Sequence, residues 1–322
     1  MAKDCIIGVL GPTAVGKTRY AIKIAQALHG EIISCDSMQI YQYMDIGSAK
    51  ATREERDLIP HHLIDFLDPR QAFTAYDYKQ KALAAITDIQ KRGKIPVFTG
   101  GTGLYFDAVL FDLDLGARPA GLSKERQKYY DLAEEQGPEA LHRLLAEVDP
   151  QAACRIHPHN IKRMVRAMES ASAGIRIRDF SRPNTDRSPF FPILLILERD
   201  REELYNRINC RVDRFFEEGL LEEVKHLMAM GLTETDLSMQ GLGYKEGIAY
   251  WKGEMSLEEC RDLIKKRTRH YAKRQETWLK RYQGAKRFSL SRYEDEEKAL
   301  GEMIQWIRQE LPSATKATNP IT

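Results

Sequence analysis

The stretch GVLGPTAVGKT, at residues 8–18, constrains the fold of this chain more than any other. It matches the pattern G-x-x-x-x-G-K-[ST], whose fixed positions here are Gly11, Gly16, Lys17 and Thr18. The apolar run CIIGVL stands directly before it, and a helical pattern follows directly after it. In such a strand–loop–helix, backbone N–H groups and the helix N-terminus bind phosphate oxygens, the lysine adds a cation, and the threonine hydroxyl reaches Mg²⁺. The stretch therefore predicts a phosphate-binding loop (P-loop), but it does not say whose phosphate is bound.

Further apolar runs rich in Ile, Val and Leu predict a parallel α/β sheet flanked by helices around this loop. With the run at 5–10, they are EIISC (31–35), HLIDF (62–66), IPVFTG (95–100) and ILLIL (193–197). From about 116 to 192 the strand signals stop, and three stretches with helical spacing predict a helical insertion domain. A long helix is expected from about 256 to 282, and the last twenty or so residues are expected to be frayed.

Four segments are therefore expected along the chain. They are a first part of the P-loop core (1–115), the helical insertion domain (116–192), the completion of the core with a basic helical region (193–290), and a tail helix with a frayed end (291–322).

Composition excludes several classes of protein. The chain has 322 residues, of which 43% are hydrophobic and 30% charged, which is typical of a globular protein. Its five cysteines form no CxxC pair, so neither a zinc site nor a disulfide framework is indicated, and a cytoplasmic compartment is expected. The longest later apolar run, FFPILLIL, is too short to span a bilayer, and no signal peptide is recognisable, so we expect no membrane insertion.

A lone carboxylate follows the second predicted strand. Asp36 stands where the carboxyl ends of parallel strands face the same crevice as the loop. A carboxylate there can act as a general base or help to hold a metal, although an aspartate at a turn is also a common helix cap. Asp45 and Asp65 are the alternative candidates.

The fourth predicted strand ends in GGTG instead of an acid. P-loop NTPases usually place an Mg²⁺-binding aspartate at the end of an apolar strand, whereas this strand ends in Thr99, Gly100 and Gly101. Two glycines allow another backbone or a substrate to come close, and Thr102 offers a neutral hydroxyl donor. A simple strand-to-helix turn is the alternative interpretation.

Positive charge is concentrated in one stretch. The net charge of the chain is only +2, but residues 261–287 carry eleven Lys and Arg against two acids, a local balance of +9. Helical spacing there predicts one packed stripe with a basic remaining face, which suits a phosphodiester backbone; a solvated helix face is the alternative. The expected stripe consists of Leu257, Ile264, Tyr271, Trp278 and Tyr282.

A second basic run, HPHNIKRMVRAMES, lies in the predicted insertion. It contains Lys162, Arg163 and Arg166 near the start of a helix. If both basic surfaces form walls, an extended polyanion could lie between them with one nucleotide reaching the loop. His157 and His159 are too isolated from cysteines and acids to indicate a metal site.

Taken in order, these motifs resemble those of the tRNA dimethylallyltransferase (tRNA isopentenyltransferase) family over about residues 5–285. The matching stretches are GPTAVGKT, DSMQIY, DIGSAK, HHLIDF, GGTGLY, DPQAACRIHPHNIKRMVRAME, GLGYKE and TRHYAKRQETWLKR. Members move a dimethylallyl group from its diphosphate to the exocyclic amine of the adenine 3′-adjacent to the anticodon. The resemblance implies Mg²⁺ as cofactor, dimethylallyl diphosphate and the tRNA anticodon stem-loop as partners, and we expect a monomer.

The resemblance also implies roles for the matching positions. Asp36 would be the general base, Thr102 would lie near the flipped base and the diphosphate, and Arg211 would accompany the leaving diphosphate. The diphosphate would be held by Gly11, Pro12, Thr13, Ala14, Val15, Gly16, Lys17 and Thr18, with Thr18 at the metal. The tRNA would be contacted by Asp36, Ser37, Met38, Gln39, Thr102, Asn160, Ile161, Lys162, Arg163, Met164, Gln240, Gly241, Leu242, Gly243, Tyr244, Lys245, Thr268, Arg269, His270, Tyr271, Ala272, Lys273, Arg274 and Gln275.

The sequence departs from the family pattern at a few positions. Val15 stands where the family usually has Ser, Ser48 and Ala51 replace Thr and Pro, and Asn160 replaces an acid in a predicted tRNA contact. Three other interpretations remain open: a P-loop kinase of a small metabolite or nucleoside, an adenylate isopentenyltransferase acting on free nucleotide, and a non-enzymatic RNA-binding P-loop protein that uses a nucleotide as a switch.

Overall fold

The computed structural model describes residues 3–115, 124–172 and 188–312. The chain divides into two compact units. The core unit comprises Met1–Arg118 with Pro183–Thr322, and the insertion unit comprises Pro119–Arg182. The finer division into four segments stays a prediction.

A parallel sheet forms the centre of the core unit. Among the described residues its strands are β1 (Cys5–Leu10), β2 (Gly30–Ser34), β3 (His61–His62), β4 (Ile95–Thr99), β5 (Phe191–Glu198) and β6 (Lys286–Ser289), in the spatial order β3-β2-β4-β1-β5-β6. Ile7 of β1 lies beside Val97 of β4 on one side and Ile193 of β5 on the other. The strands read as apolar runs because side chains on both faces are buried. The predicted parallel α/β sheet is thus confirmed.

Helices connect and cover the strands. They are α1 (Lys17–Ala27), α2 (Arg53–Leu58), α3 (Ala75–Lys91), α4 (Gly103–Leu110), α5 (Lys124–Glu135), α6 (Pro138–Val148), α7 (Pro150–Arg155), α8 (Ile161–Ser172), α9 (Arg201–Glu217), α10 (Leu220–Ala229), α11 (Tyr244–Trp251), α12 (Leu257–Leu279) and α13 (Glu296–Glu310). In the described residues, no helix is both long and apolar enough to cross a membrane.

Two strand predictions are wrong in detail. Strand β6 was not predicted, and Lys286 and Arg287, counted with the basic helix, lie on it instead. Strand β3 covers two residues instead of 62–66. The chain turns after β3 because Leu63 and Asp65 have φ of 59° and 57°, which a strand does not accommodate.

The packed row of the long helix α12 agrees with the predicted stripe only in part: Ile264 is buried as predicted, and so is Tyr282 just beyond the helix. Leu257, placed in the packed stripe, is 43% exposed. The buried residues of α12 are Cys260, Ile264, Thr268, Ala272, Gln275 and Leu279. They mostly follow a four-residue spacing and include two polar side chains, which a pattern of apolar letters does not select.

The C-terminal part of the core unit is ordered further than predicted. Helix α13 continues to Glu310 and buries Met303 and Ile307, so the expectation of fraying is wrong for residues 303–310. The final residues, 313–322, lie outside the described part.

The described part of the insertion unit, residues 124–172, consists of helices α5 to α8. Leu141, Leu145, Met164 and Val165 form its own buried core. The Asn160 side chain accepts a hydrogen bond from the backbone N–H of Arg163 at 3.3 Å. Asparagine and aspartate are equivalent at such a helix N-terminus, so the departure at Asn160 leaves the local structure intact.

Candidate functional site

The loop between β1 and α1 forms a concave backbone surface. Ala14 and Gly16 have φ of 64° and 110°, in the left-handed region, and a turn with such residues can direct successive backbone N–H groups toward a bound anion. Gly16 is also the N-cap of α1, which adds the positive end of the helix dipole. A Cβ on Gly11 would lie 2.8 Å from the carbonyl oxygen of Leu197, so glycine is needed where β5 passes the loop.

Two cations accompany the loop. The Lys17 Nζ donates to the carbonyl oxygen of Pro12 at 2.8 Å, and the Arg211 guanidinium donates to the hydroxyl oxygen of Thr13 at 3.3 Å. Burial, and next the charge of Arg211, lower the pKa of Lys17 to about 8. Burial likewise lowers the pKa of Arg211 to about 10. Both groups are partly desolvated, so an anion that replaces the lost water is favoured here.

Two further arginines hold the loop backbone in place. The Nε of Arg207, on α9, donates to the carbonyl oxygen of Ala14 at 2.9 Å, and the Nε of Arg199, directly after β5, donates to that of Val15 at 3.1 Å. Arg199 is itself paired with Glu296 of α13 at 2.9 Å. We call residues 11–18 with Arg207 and Arg211 the loop half of the site.

Asp36 lies at the end of β2, held by backbone donors. Its Oδ1 accepts hydrogen bonds from the N–H groups of Met38 and Gln39, at 2.9 and 3.4 Å, and its Oδ2 accepts one from Gly101 at 3.2 Å. A Cβ on Gly101 would lie 2.8 Å from that Oδ2, so glycine at this position permits the contact. The carboxylate is therefore fixed in orientation.

Thr102 belongs to the same arrangement. Its hydroxyl oxygen accepts from the backbone N–H of Ser37 at 2.9 Å, and the hydroxyl donates to Ser37 Oγ at 3.0 Å. A Cβ on Gly100 would lie 2.4 Å from the Cys35 carbonyl, so the GGTG turn brings the end of β4 against the end of β2. We call residues 36–39 with 100–102 the turn half of the site.

Helix α12 touches both halves. The Tyr271 hydroxyl donates to the Gly101 carbonyl oxygen at 2.8 Å, and the Gln275 amide nitrogen donates to the same oxygen at 2.8 Å. The Gln275 amide oxygen accepts from the Thr13 N–H at 2.8 Å. The sequence assigned Gln275 to tRNA contact and missed this bridge, because no local pattern signals a bond between positions so far apart in the chain.

Both halves line one cleft of about 390 Å³. Among the residues around it are Thr13, Ala14, Gly16, Lys17, Thr18, Asp36, Gln39, Gly101, Arg207, Arg211, Tyr271 and Gln275. Thr102 lines a smaller cavity of about 30 Å³ that shares Gly100, Gly101 and Gln275 with the cleft. The loop, Asp36 and Arg211, singled out from the sequence, are thus brought together.

The alternative carboxylates are engaged elsewhere. Asp45 and Asp65 both pair with the buried amine of Lys50, at 2.6 and 2.8 Å. Of the three acids considered from the sequence, Asp36 is the one on the cleft wall. Glu55 and His61, which the sequence did not single out, also line it.

The predicted tRNA-contacting segments differ in exposure. Those at 240–245 and 268–275 belong to the core unit, and that at 160–164 to the insertion unit. Their exposed side chains include Lys162, Arg163, Gln240, His270, Lys273 and Arg274, whereas those of Met164, Tyr244, Thr268, Ala272 and Gln275 are buried. As placed, these segments offer the first set to a partner, whereas the second set is turned inward, with Gln275 on the wall of the cleft.

Part of the positive charge counted in residues 261–287 is neutralised by ion pairs. Five of its eleven cations pair with acids on other elements. These pairs are Arg261 and Lys265 with Asp213, Arg267 with Glu246, Arg281 with Asp107, and Arg287 with Glu198. The local balance of +9 therefore overstates the charge available to a partner, which lies with exposed residues such as Lys273 and Arg274.

The cleft suits a magnesium ion that is coordinated mostly by a bound phosphate group and water. In the described ranges, no group of three or more His, Cys, Asp or Glu side chains forms a metal cage. The Thr18 hydroxyl and the Asp36 carboxylate both line the cleft. Mg²⁺ usually takes one or two protein oxygens and completes its shell with phosphate and water, so the Thr18 hydroxyl fits it.

Comparison with known proteins identifies the family. Residues 39–282 match the family model described as IPP transferase. The chain is 44% identical to the tRNA dimethylallyltransferase of Clostridioides difficile (strain 630), over 97% of this chain and 100% of that protein. The chain belongs to the IPP transferase family. A relative from Thermotoga neapolitana, also named tRNA dimethylallyltransferase, is 45% identical over 94% of this chain and 98% of its own length.

Solved IPP transferase structures share the fold. The tRNA isopentenylpyrophosphate transferase of Bacillus halodurans has a TM-score of 0.72 and 38% identity, over 98% of each chain. A eukaryotic dimethylallyltransferase described as acting on tRNA has a TM-score of 0.76 and 27% identity, over 96% of this chain and 81% of that one. In the present IPP transferase, the loop half supplies cations and N–H donors, and the turn half supplies a carboxylate and hydroxyls.

Proposed function

We propose that this protein transfers a dimethylallyl group from dimethylallyl diphosphate to the exocyclic amine of the adenosine 3′-adjacent to the anticodon in tRNA, giving isopentenyladenosine. The observation that carries the proposal is that the phosphate loop and Asp36 lie on the wall of the same cleft. Membership of the IPP transferase family supports the choice of a prenyl diphosphate over ATP as the bound molecule.

The loop half would hold the leaving group. When the allylic carbon–oxygen bond breaks, its electron pair goes to the departing diphosphate, and fixed donors that meet this charge lower the barrier. The N–H groups of the loop, with Lys17 and Arg211, supply such donors. A bound Mg²⁺, held by Thr18, would supply further neutralisation of the diphosphate.

The turn half would activate the acceptor. The adenine amine is a poor nucleophile because its lone pair is delocalised into the ring, so a carboxylate that takes its proton during attack helps. Asp36 has this role, and its three backbone bonds hold the carboxylate toward the cleft. The base has to leave its stack to reach it, as in other enzymes that modify bases.

The remaining partner proposals follow from the same function. The tRNA would contact the exposed residues of the segments at 160–164, 240–245 and 268–275. The described cysteines are free, which supports a reducing, cytoplasmic setting. We take the active form to be a monomer.

The function is tested by incubating the purified protein with dimethylallyl diphosphate, Mg²⁺ and an unmodified tRNA that has adenosine after its anticodon. Mass spectrometry of the digested tRNA should show isopentenyladenosine at that position. A tRNA with a different base there is the matched control and should gain nothing. Prenylation of free AMP but not tRNA would favour the adenylate-specific alternative, and ATP-dependent phosphorylation without a prenylated product would contradict the proposal.

A further inference from the structure

Gln275 joins the two halves of the site through one side chain. It is 9% exposed, on the buried row of α12. Its amide oxygen accepts from the Thr13 N–H in the loop half, and its amide nitrogen donates to the Gly101 carbonyl in the turn half, both at 2.8 Å. One partner is a donor and the other an acceptor, so a side chain must carry both functions to satisfy them.

The two backbone positions that Gln275 links lie next to the chemistry. Thr13 is inside the phosphate loop, and its hydroxyl accepts from Arg211. The N–H of Gly101 donates to Asp36, so the peptide units on both sides of Gly101 are engaged. A shift of the turn relative to the loop would therefore change the distance between the bound diphosphate and the carboxylate.

Other contacts of α12 hold the helix, and with it Gln275, in place. Ala272 and Leu279 are buried on either side of it along the helix. The Tyr271 hydroxyl, one turn earlier, also donates to the Gly101 carbonyl oxygen, so the turn is held by two side chains. The loop, in contrast, is joined to α12 by the Gln275 amide oxygen.

We propose that Gln275 is a positioning residue that sets the separation between the loop half and the turn half, and so between the leaving diphosphate and Asp36. The inference rests on the proposed function. Gln275 binds the Thr13 and Gly101 backbones and acts through them. Misplacement of reacting groups by about 1 Å can cost about a hundredfold in rate, so kcat is the quantity that should respond.

Two variants of similar size separate the two bonds. Q275M removes both hydrogen bonds and should lower kcat by about tenfold to a hundredfold, while the dissociation constants for inorganic diphosphate and for tRNA change less than about twofold. Q275E keeps the acceptor for the Thr13 N–H but sets a carboxylate oxygen against the Gly101 carbonyl oxygen. Thr277→Ala on the exposed face of α12, whose hydroxyl bonds within the helix, is the control and should keep wild-type kinetics.

The pH profile gives a readout that loss of structure would not reproduce. A protonated carboxyl has one O–H donor and one acceptor, as the amide does. The rate of Q275E relative to wild type should therefore rise as pH falls from about 8 to about 5.5, whereas the ratio for Q275M should stay flat. Lys17, Asp36, Arg211 and Tyr271 line the same cleft and are present in all these proteins, so the Q275M ratio is the reference against which the Q275E ratio is compared.

Several outcomes would overturn the inference. Wild-type kcat in Q275M, a loss of rate that merely follows weaker tRNA binding, or a flat ratio for Q275E would each do so. Thermal unfolding checks that the variants fold, and if Q275M does not fold, Q275E alone carries the test through its pH profile. Absence of product from the wild type contradicts the proposed function and removes this inference with it, whereas an active wild type with an unaffected Q275M contradicts the inference alone.

Discussion

The loop half and the turn half are built in opposite ways. The loop half is one continuous stretch, residues 11–18, braced by arginines that bond its carbonyl oxygens. The turn half is assembled from the ends of two neighbouring strands, with α12 across them. One half concentrates positive charge, and the other presents a carboxylate held by N–H groups. On the proposed function, the contiguous half holds the leaving diphosphate and the assembled half activates the acceptor, so the two roles fall to parts of the chain that are built differently.

The largest effect is expected from the turn half. Asp36→Asn keeps the shape of the side chain but removes the proton acceptor, so kcat should fall by about a hundredfold to ten-thousandfold. Affinity for inorganic diphosphate should stay near wild type, which titration calorimetry would measure. Asp45→Asn, which changes an exposed carboxylate paired with Lys50, is the matched control. A loss of diphosphate affinity with normal turnover would reverse the roles assigned to the two halves.

A smaller effect is expected from pH on the loop half. Burial lowers the pKa of Lys17 to about 8, so its charged fraction decreases as pH rises through that value. At pH 9 about one tenth of Lys17 would be protonated, and affinity for inorganic diphosphate should drop by up to about tenfold relative to the acidic limit. Lys17→Met should bind inorganic diphosphate weakly and should lack the pH dependence that Lys17 causes. The titration of diphosphate itself is common to both proteins, so it cancels in the ratio of their affinities.

Asp36→Asn differs from Lys17→Met in this respect. Its affinity for inorganic diphosphate should still decline above pH 8, because Lys17 is unchanged. The ratio of the diphosphate affinity of the wild type to that of Lys17→Met should fall between pH 7 and 9. If it stays constant, the decline is not due to Lys17.

The smallest effect is expected outside both halves. Lys273→Gln with Arg274→Gln removes two exposed cations of α12, so tRNA binding should weaken several-fold and its salt dependence should decrease by about one to two in log–log slope. Arg269 is a poorer choice than the sequence suggested, because it is half-buried and donates to Asn209 at 2.7 Å. Lys298→Gln on α13 is the control. Filter binding at several salt concentrations measures the slope, and an unchanged slope would rule out these two residues as phosphate contacts.

Much of the fold could be predicted because its signals are local. Strand β1 and its loop are a contiguous motif, and β2, β4 and β5 are apolar runs long enough to stand out. Strand β6 was missed because it is the edge strand KRFS, in which only Phe288 is buried and the lysine and arginine suggested a helix face. Strand β3 was overextended because Leu63, Ile64 and Phe66 continue an apolar pattern, although the backbone turns at Leu63 and Asp65.

The site could be predicted where a residue's own type and place in the sequence indicate its role. Lys17 and Asp36 came from their place in the sequence and Arg211 from the family resemblance, and all three lie on the wall of one cleft. Arg199, Arg207 and the bridging role of Gln275 were not predicted, since each is defined by a partner that lies 184, 193 or 262 positions away. The sequence also could not show that Glu246 and Asp107 neutralise part of the basic stretch, because ion pairs of this kind form only through the fold.

The order of the strands has a consequence for how the chain folds during synthesis. Strand β1 lies between β4 and β5, so one of its edges can pair once Thr99 has emerged from the ribosome, but the other waits for Phe191. At usual elongation rates this interval lasts roughly 5 to 20 s. An open strand edge is a template for wrong pairing, so the nascent chain is most exposed to aggregation while the residues of the insertion are being translated.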